Sequence, residues 1–323
     1  MRVQLIHKLA NAHEDSIWAV CFVPGEAGLL ATGSVDESVQ IWKEEGAQEE
    51  VALNQVHTMA GVSLGAVALA MDTRGEYGAV NSLDSHVSVW SNSDFSIVGE
   101  GLKLAPSACW GLAFVPRLAA SDPVLLAMAG GSANVLRIWN VLEGKMERTF
   151  EVPVEEGEGG DRKSRREAFM LSVAVSPDGK YIAGAGMNGT ILVFEVESGK
   201  LVSQSRLHTK PVRCVTFTPD SKYVVSASDD THIGVTEVLT GKTIQVMSGH
   251  ESWVLSVAVH PSGNVLASGG SDGKVKLFDM ETNKCIQTVS EHTDQVWSVS
   301  WSEDGKRLAS VGDDRTVLLL ATM

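Results

Sequence analysis

Basic residues are in short supply. The 323-residue chain carries 26 Lys and Arg against 40 Asp and Glu, a formal net charge of −14. Nucleic acids and anionic membranes attract proteins through a basic field, so neither is expected as a direct partner. Cysteine is scarce too. Cys21, Cys109, Cys214 and Cys285 lie far apart and form no CxxC pair. Each falls in a strand-like run, which predicts buried free thiols in a reducing compartment. No apolar run approaches the roughly 18 residues that suggest a membrane span. The opening stretch MRVQLIHKLANAHEDS has no long apolar core and no small-residue cleavage site, so no secretory signal is expected. Together these absences predict a soluble intracellular protein. Aromatic residues make up only 6% of the chain, yet eight of them are Trp.

What the chain has is repetition. His208, His250 and His292 stand 42 residues apart, and Asp230, Asp272 and Asp314 keep the same step. An apolar pair closes each repeat: Ile41-Trp42, Val89-Trp90, Ile138-Trp139, Val193-Phe194, Val235-Thr236, Leu277-Phe278 and Leu319-Leu320. The steps between the second members are 48, 49, 55, 42, 42 and 42 residues, so there are seven repeats, some lengthened by insertions. Inside a repeat, short runs of period two alternate with turns. In the fifth, Val212 to Phe217, Tyr223 to Ala227, the stretch after Thr231, and Thr243 to Met247 are four strands separated by turn residues. Four short antiparallel strands every 42 or so residues describe a propeller blade. The fold class is therefore all-β, a single seven-bladed propeller.

The last repeat offers only three strands, Val296 to Trp301, Arg307 to Val311 and Thr316 to Ala321. Val3 to Leu9 precedes His13 just as Ile286 to Val289 precedes His292. Residues 1–11 are thus expected to supply the outer strand of blade seven and hide two strand edges. The remaining assignments are 13–53 for blade one, 57–104 for blade two, 105–152 for blade three, 169–205 for blade four, 208–247 for blade five, 250–289 for blade six and 292–323 for blade seven. Residues 153–168, acidic first and basic second, are a flexible charged insertion of about 13 residues. Ser164, among its basic residues, is a weak candidate for phosphorylation. Blade three departs furthest: no His near Ala105, Ala133 in the Asp position, and an extra loop from Pro116 to Pro123.

His, Asp and Ser/Thr recur together, which raises the question of a catalytic triad. The set recurs at His13/Asp36, His208/Asp230, His250/Asp272 and His292/Asp314. A device repeated around a ring is architecture, with the Asp accepting the imidazole N–H. A second-strand hydroxyl and the indole of Trp42 or Trp90 extend it. No His/Cys/acid cluster has metal-ligand spacing, and the Gly pairs lack the strand-to-helix context of a nucleotide loop. No catalytic residue, metal or cofactor is expected.

The stronger functional signal lies at the top of the first strands. Four residues before the last apolar residue of each stand Trp18, Gly65, Trp110, Leu171, Arg213, Leu255 and Trp297. First strands line a propeller's channel, so these positions ring its mouth, with Trp253 close by in the loop leading into blade six. They form a candidate pocket for an apolar side chain of a partner. Glu14, Asp15, Asp229, Asp294 and Asp313 in neighbouring loops can pair with a cationic residue of that partner.

The recurring GH…D…[W/F] register resembles the WD-repeat propellers and covers essentially the whole chain. Stretches such as AHEDSIWAVCF, TGSVDESVQIW, NSLDSHVSVW, GHESWVLSVAVHPSGN and HTDQVWSVSW…LASVGDD resemble one subfamily. It is the small propeller subunit shared by the superkiller complex, active in exosome-linked mRNA decay, and the polymerase-associated factor complex, active in transcription elongation and histone modification. The charged insertion is similar to that of plant-type members. The resemblance implies a non-catalytic scaffold in nucleus and cytoplasm. It implies binding to protein subunits, among them a helical-repeat scaffold, through the top face and blade edges, as a monomer within a hetero-complex. Two alternatives stand beside it: a reader of histone tails holding methyl-lysine, and a WD-repeat scaffold of another assembly, G-protein β-like or cytoskeletal.

Overall fold

A computed structural model describes residues 1–46, 51–104, 109–130, 135–151 and 169–323. The positions near Ala105, Ala133 and the charged insertion with Ser164 lie outside the described residues. The described chain forms 28 strands, β1 to β28 in chain order, in seven four-stranded antiparallel sheets. The innermost strands are β2 (Ile17–Phe22), β6 (Ala66–Met71), β10 (Gly111–Phe114), β14 (Met170–Val175), β18 (Val212–Phe217), β22 (Val254–Val259) and β26 (Val296–Trp301). Each packs against the next, and β26 packs back onto β2, so the seven-bladed propeller closes.

Turn chemistry sets the strand lengths. Asp220 accepts the Lys222 N–H at 3.1 Å and the Thr218 hydroxyl at 2.6 Å, and Ser221 takes a positive φ. The same turn recurs at Ser176/Asp178/Lys180 and Ser302/Asp304/Lys306, where Gly179 and Gly305 supply the left-handed residue. Side-chain oxygens bonding to the backbone two residues on is why Asp, Ser and Thr punctuate these sheets.

The apolar core is shared between neighbours. One cluster joins Val20, Phe22, Leu30 and Trp42 of blade one to Ala309, Val311, Val317 and Leu319 of blade seven. Another joins Val265 and Leu277 of blade six to Trp301, Leu308 and Leu320 of blade seven, and also takes in Val3. No blade buries its faces alone, so the ring depends on its seam.

At that seam β1 (Val3–Leu9) pairs antiparallel with β28 (Val317–Thr322). Contacts from three sides hold it. The Gln287 amide accepts the Val3 N–H at 2.9 Å and donates to the Val3 carbonyl at 2.7 Å, imitating a strand. Arg307 grips Glu44 with Nη2 at 2.6 Å and Nε at 3.0 Å. The Ala12 N–H bonds to the Arg315 carbonyl at 3.0 Å.

Two expectations need correction. The outer strand of blade one, β5, is Ala52–Ala60, so this blade continues past residue 53 and past the expected start of blade two at 57. The expected boundary coincides with His57, which lies within β5; the position four residues before β6, where the braced blades carry His, holds Val62. Of the thiols, Cys109 is buried but Cys285 is exposed on the outer edge of blade six. Burial pushes the Cys21 and Cys109 thiols up to about 12, which keeps them protonated.

Candidate functional site: the top face and channel mouth

Four blades carry the His/Asp brace with near-identical geometry. The Nδ1–H of His13, His208, His250 and His292 donates to Asp36, Asp230, Asp272 and Asp314 at 2.9, 2.9, 2.9 and 3.0 Å. Nε2 accepts from the hydroxyls of Thr32, Ser226, Ser268 and Ser310 at 2.7, 2.8, 2.7 and 2.9 Å. A carboxylate only accepts, which fixes the proton on Nδ1 and leaves the Nε2 lone pair for the hydroxyl. Each Asp also accepts the backbone N–H of the residue after the His, from Glu14, Thr209, Glu251 and Thr293, and so ties the lead-in loop to the turn.

This is the connectivity of a hydrolytic triad, but the four hydroxyls are 0% exposed. A nucleophile sealed in the sheet has no route to a substrate, so the sets are braces. In blade one the Trp42 indole extends the set by donating to Thr32 at 2.8 Å. Trp90 does not act this way: its indole donates to Asn92 Oδ1 at 2.7 Å. The residue facing it from the second strand is Gly78, where an added Cβ would lie 2.1 Å from the ring. Among the described residues no group of three or more His, Cys, Asp or Glu is placed to hold a metal ion.

The mouth positions have a common structural origin. In six innermost strands the pairing skips one residue just after the start: Trp18, Val67, Leu171, Arg213, Leu255 and Trp297. Trp110 takes the same place in blade three, its N–H bonding to the Ala129 carbonyl at 2.6 Å. Bulges release a side chain from the alternation of the sheet and re-aim it. The ring is therefore built by a repeated bulge. In blade two its member is Val67, not Gly65. The strand runs to Met71, two residues beyond the apolar residue taken as its end. Gly65 instead has φ +92°, and a Cβ there would lie 2.7 Å from Val35 Cα.

Neighbouring members of the ring interact. Trp18 and Trp297 pack with centroids 5.3 Å apart and planes tilted by 38°. The Trp297 indole donates to Asp313 at 2.7 Å. Arg213 binds Asp229 through two hydrogen bonds of 2.8 and 2.7 Å, and its guanidinium carbon lies 5.5 Å from the centre of the Trp253 ring. Trp253 is 44% exposed, an open aromatic face over a held cation. Trp110 stands edge-on to Phe169 at 5.9 Å. Trp18, Trp110, Arg213 and Trp297 are half-buried, and Glu14, Asp15 and Asp294 are exposed.

Two expected contact residues change role. Leu255, at the bulge of β22, is 4% exposed and so belongs to the wall of the mouth rather than to an open contact surface. Asp229 is equally buried, and its carboxylate is committed to Arg213. Other residues were missed. Leu83 and Met187, each at the start of a second-to-third-strand turn, are exposed, as is Leu64 in the loop before β6. The same turn position holds Asp229 in blade five and Asp313 in blade seven. The top face therefore has an apolar arc over blades two and four and a polar arc over blades five and seven. The residue preceding each turn Asp, or Asn188 in blade four, is the sequence signal for this arc.

Closed ring, four-stranded blades and recurring braces together define a WD-repeat propeller. The profile of the WD domain, G-beta repeat, matches residues 3–43, 166–195, 199–235, 241–279 and 283–319, more than half of the chain. The chain belongs to this family. It is 39% identical over 220 residues to the WD repeat-containing protein VIP3 of Arabidopsis thaliana, covering 67% of this chain and 65% of that protein. It is 28% identical over 212 residues to the WD repeat-containing protein SL1-17 of Schistosoma mansoni, covering 64% and 62%. It is 27% identical over 212 residues to the meiotic recombination protein rec14 of Schizosaccharomyces pombe, covering 65% and 62%. The matches thus span slightly less than two thirds of each relative's own length.

Proposed function

We propose that this chain is a non-catalytic adaptor that holds partner subunits of the polymerase-associated factor complex in the nucleus and of the superkiller complex in the cytoplasm. The channel mouth carries this reading. A repeated bulge places Trp18, Trp297 and Arg213 around the mouth, Trp110 takes the equivalent place in blade three, and Trp253 offers an open ring beside them. Aromatic and Arg anchors in a rigid rim are what a docking site needs. The resemblance of the AHEDSIWAVCF and HTDQVWSVSW stretches to the shared subunit, and the 39% identity to the Arabidopsis WD repeat-containing protein, support the choice of assemblies. The test is affinity purification of the tagged chain from separated nuclear and cytoplasmic extracts, with partners identified by mass spectrometry. Recovery of both complexes is expected. Recovery of neither reduces the reading to a WD-repeat scaffold of another assembly.

A histone-tail reader is the second reading, favoured by the exposed acids Glu14, Asp15 and Asp294 around the Trp18–Trp297 pair. Titration with unmodified and trimethyl-lysine histone peptides separates the two, because a cage discriminates between them and a general acidic rim does not.

A further inference from the structure

Blade five has an outer edge unlike the others. Its outer strand β21 (Thr243–Ser248, TIQVMS) pairs with β20 (His232–Glu237) on one side and, among the described residues, with no strand on the other. The strand contains no charge and no proline. Ile244 is 45% exposed and Val246 44% exposed, and Leu239 in the hairpin before them is 62% exposed. Among the described residues no other outer strand exposes two large apolar side chains. Outer strand β13 (Lys145–Phe150) of blade three shows a protected edge by contrast, with Lys145, Glu147 and Arg148 exposed along it. An unguarded edge with an apolar face is a template for another strand.

A cavity of about 350 Å³ adjoins this edge between blades five and six, with Tyr223, Val235, Ile244 and Met280 among its lining. The corresponding cleft between blades seven and one is filled differently: Arg307 stands at the place of Tyr223 and is bound to Glu44. Among the described residues the blade-five cleft has no such ion pair across it, and the Gln245 side chain spans it, donating to the Met280 carbonyl at 2.9 Å.

We propose that the outer edge of blade five is a docking site for an extended segment of a partner protein, which adds a fifth strand along β21. Aliphatic side chains at alternate positions of the segment cover Ile244 and Val246, and one of them enters the cleft against Tyr223 and Met280. The period of two on the host strand sets the period of the guest, and the free main-chain groups of the edge supply the ladder. The chain's net charge of −14 opposes pairing of two copies, so the guest is a neutral or basic segment of another protein. The proposal uses the scaffold reading only to the extent that it assigns the chain a second contact surface. Its test needs no complex, so the two can fail separately.

The probe is a fluorescein-labelled synthetic heptapeptide, Lys-Val-Thr-Val-Thr-Val-Lys, titrated into the full chain. Saturable binding is expected, weakened at least about tenfold by Ile244→Lys or Val246→Lys and unchanged by Trp297→Ala on the top face. Hydrogen exchange should show slowed amides within Gln245–Ser248 on peptide binding and no change in β13. Unchanged melting of the two Lys variants is the control for folding. Absence of saturable binding, binding indifferent to both substitutions, or protection elsewhere on the ring overturns the proposal. So does a dimer of the chain, seen by light scattering and abolished by Val246→Lys, since the guest would then be a second copy.

Discussion

Blades one, five, six and seven hold a His–Asp–hydroxyl brace, whereas blades two, three and four lack its His and its hydroxyl together; blade two keeps the carboxylate, Asp84, which accepts from the Ser82 hydroxyl and the His86 N–H instead. Where Thr32, Ser226, Ser268 and Ser310 pair with β2, β18, β22 and β26, the unbraced blades have Val80, Met128 and Gly184. The loss is concerted for a physical reason. A hydroxyl in mid-sheet is buried, and without the imidazole it is left without a partner at a cost of about 1–3 kcal/mol. Once the His is gone, an apolar or absent side chain at the hydroxyl position is the better choice. The unbraced blades are held otherwise. Arg117, itself buried, reaches back from the extra loop of blade three to Asp72 at 3.2 Å and Glu76 at 2.8 Å in blade two. That loop is therefore a tie between blades as well as an insertion.

The largest expected effect lies at the seam, where braced blades seven and one meet. Deleting residues 1–11 removes β1, bares the far edge of β28, and breaks the Gln287–Val3 clamp. Thermal denaturation should show the melting temperature lowered by at least about 10 °C, or loss of the cooperative transition. An unchanged melting temperature would refute closure by β1. The next test exchanges side chains of nearly equal shape between the two kinds of blade. Thr32→Val in blade one strips a partner from both His13 Nε2 and the Trp42 indole and should cost about 3 kcal/mol. Val80→Thr in blade two buries a hydroxyl with no imidazole to receive it and should cost about 1–2 kcal/mol. Urea unfolding measures both. If either substitution stabilises the chain, the rule that His and hydroxyl stand or fall together is wrong.

These comparisons show what the sequence could and could not disclose. The ring, its seven blades and its closing strand were legible because a 42-residue period and a leading strand before His13 are patterns of residue type. The brace was legible because His, Asp and hydroxyl recur at fixed spacing. The mouth is nearly legible: counting back four residues finds five of the six bulged positions and the equivalent Trp110, because the bulge sits at one offset in nearly every innermost strand. Blade two is the exception, because its first strand does not end at the apolar Leu69 but pairs on to Met71. Exposure was not legible. Leu255 and Trp253 lie two residues apart, yet one is sealed and the other open, and only the packing of neighbouring blades separates them. Nor did the sequence disclose that Asp229 would be occupied by Arg213, since one lies in the turn after the second strand of blade five and the other at the bulge of β18, and their approach depends on the fold.

A smaller effect separates mouth from core. Trp297 is half-buried, stacked on Trp18 and bonded to Asp313. Trp297→Ala should cost about 1–2 kcal/mol in urea unfolding while weakening retention of partner subunits about tenfold or more. Collapse of the fold would make the indole part of the core and remove it from the docking surface.

The smallest expected effect is in pH, and it also distinguishes braced from unbraced blades. Burial holds His13 and His208 below the ordinary imidazole value of 6.5, although the paired Asp36 and Asp230 pull the other way. As pH falls below about 6.5, the unfolded chain takes up protons at these histidines before the folded chain does. Stability contributed by the neutral braces is thus complete above that value and declines as pH drops toward the lowered folded value. The carboxyls add a second step. Burial alone would raise Asp36, Asp230, Asp272 and Asp314, but hydrogen bonds, from the partner histidines and for Asp36 foremost from Ser38, bring all four below 3.8. Their contribution is present above 3.8 and is lost as pH falls through the folded values. Urea midpoints should therefore drop modestly from pH 7.5 to 5.5 and further below pH 4, and the first drop should shrink in a His13→Gln/His208→Gln variant. A midpoint that rises between pH 7.5 and 5.5 would mean that the imidazoles charge within the fold. The braces would then be ion pairs, whose loss from blades two to four would have removed charge as well as hydrogen bonds.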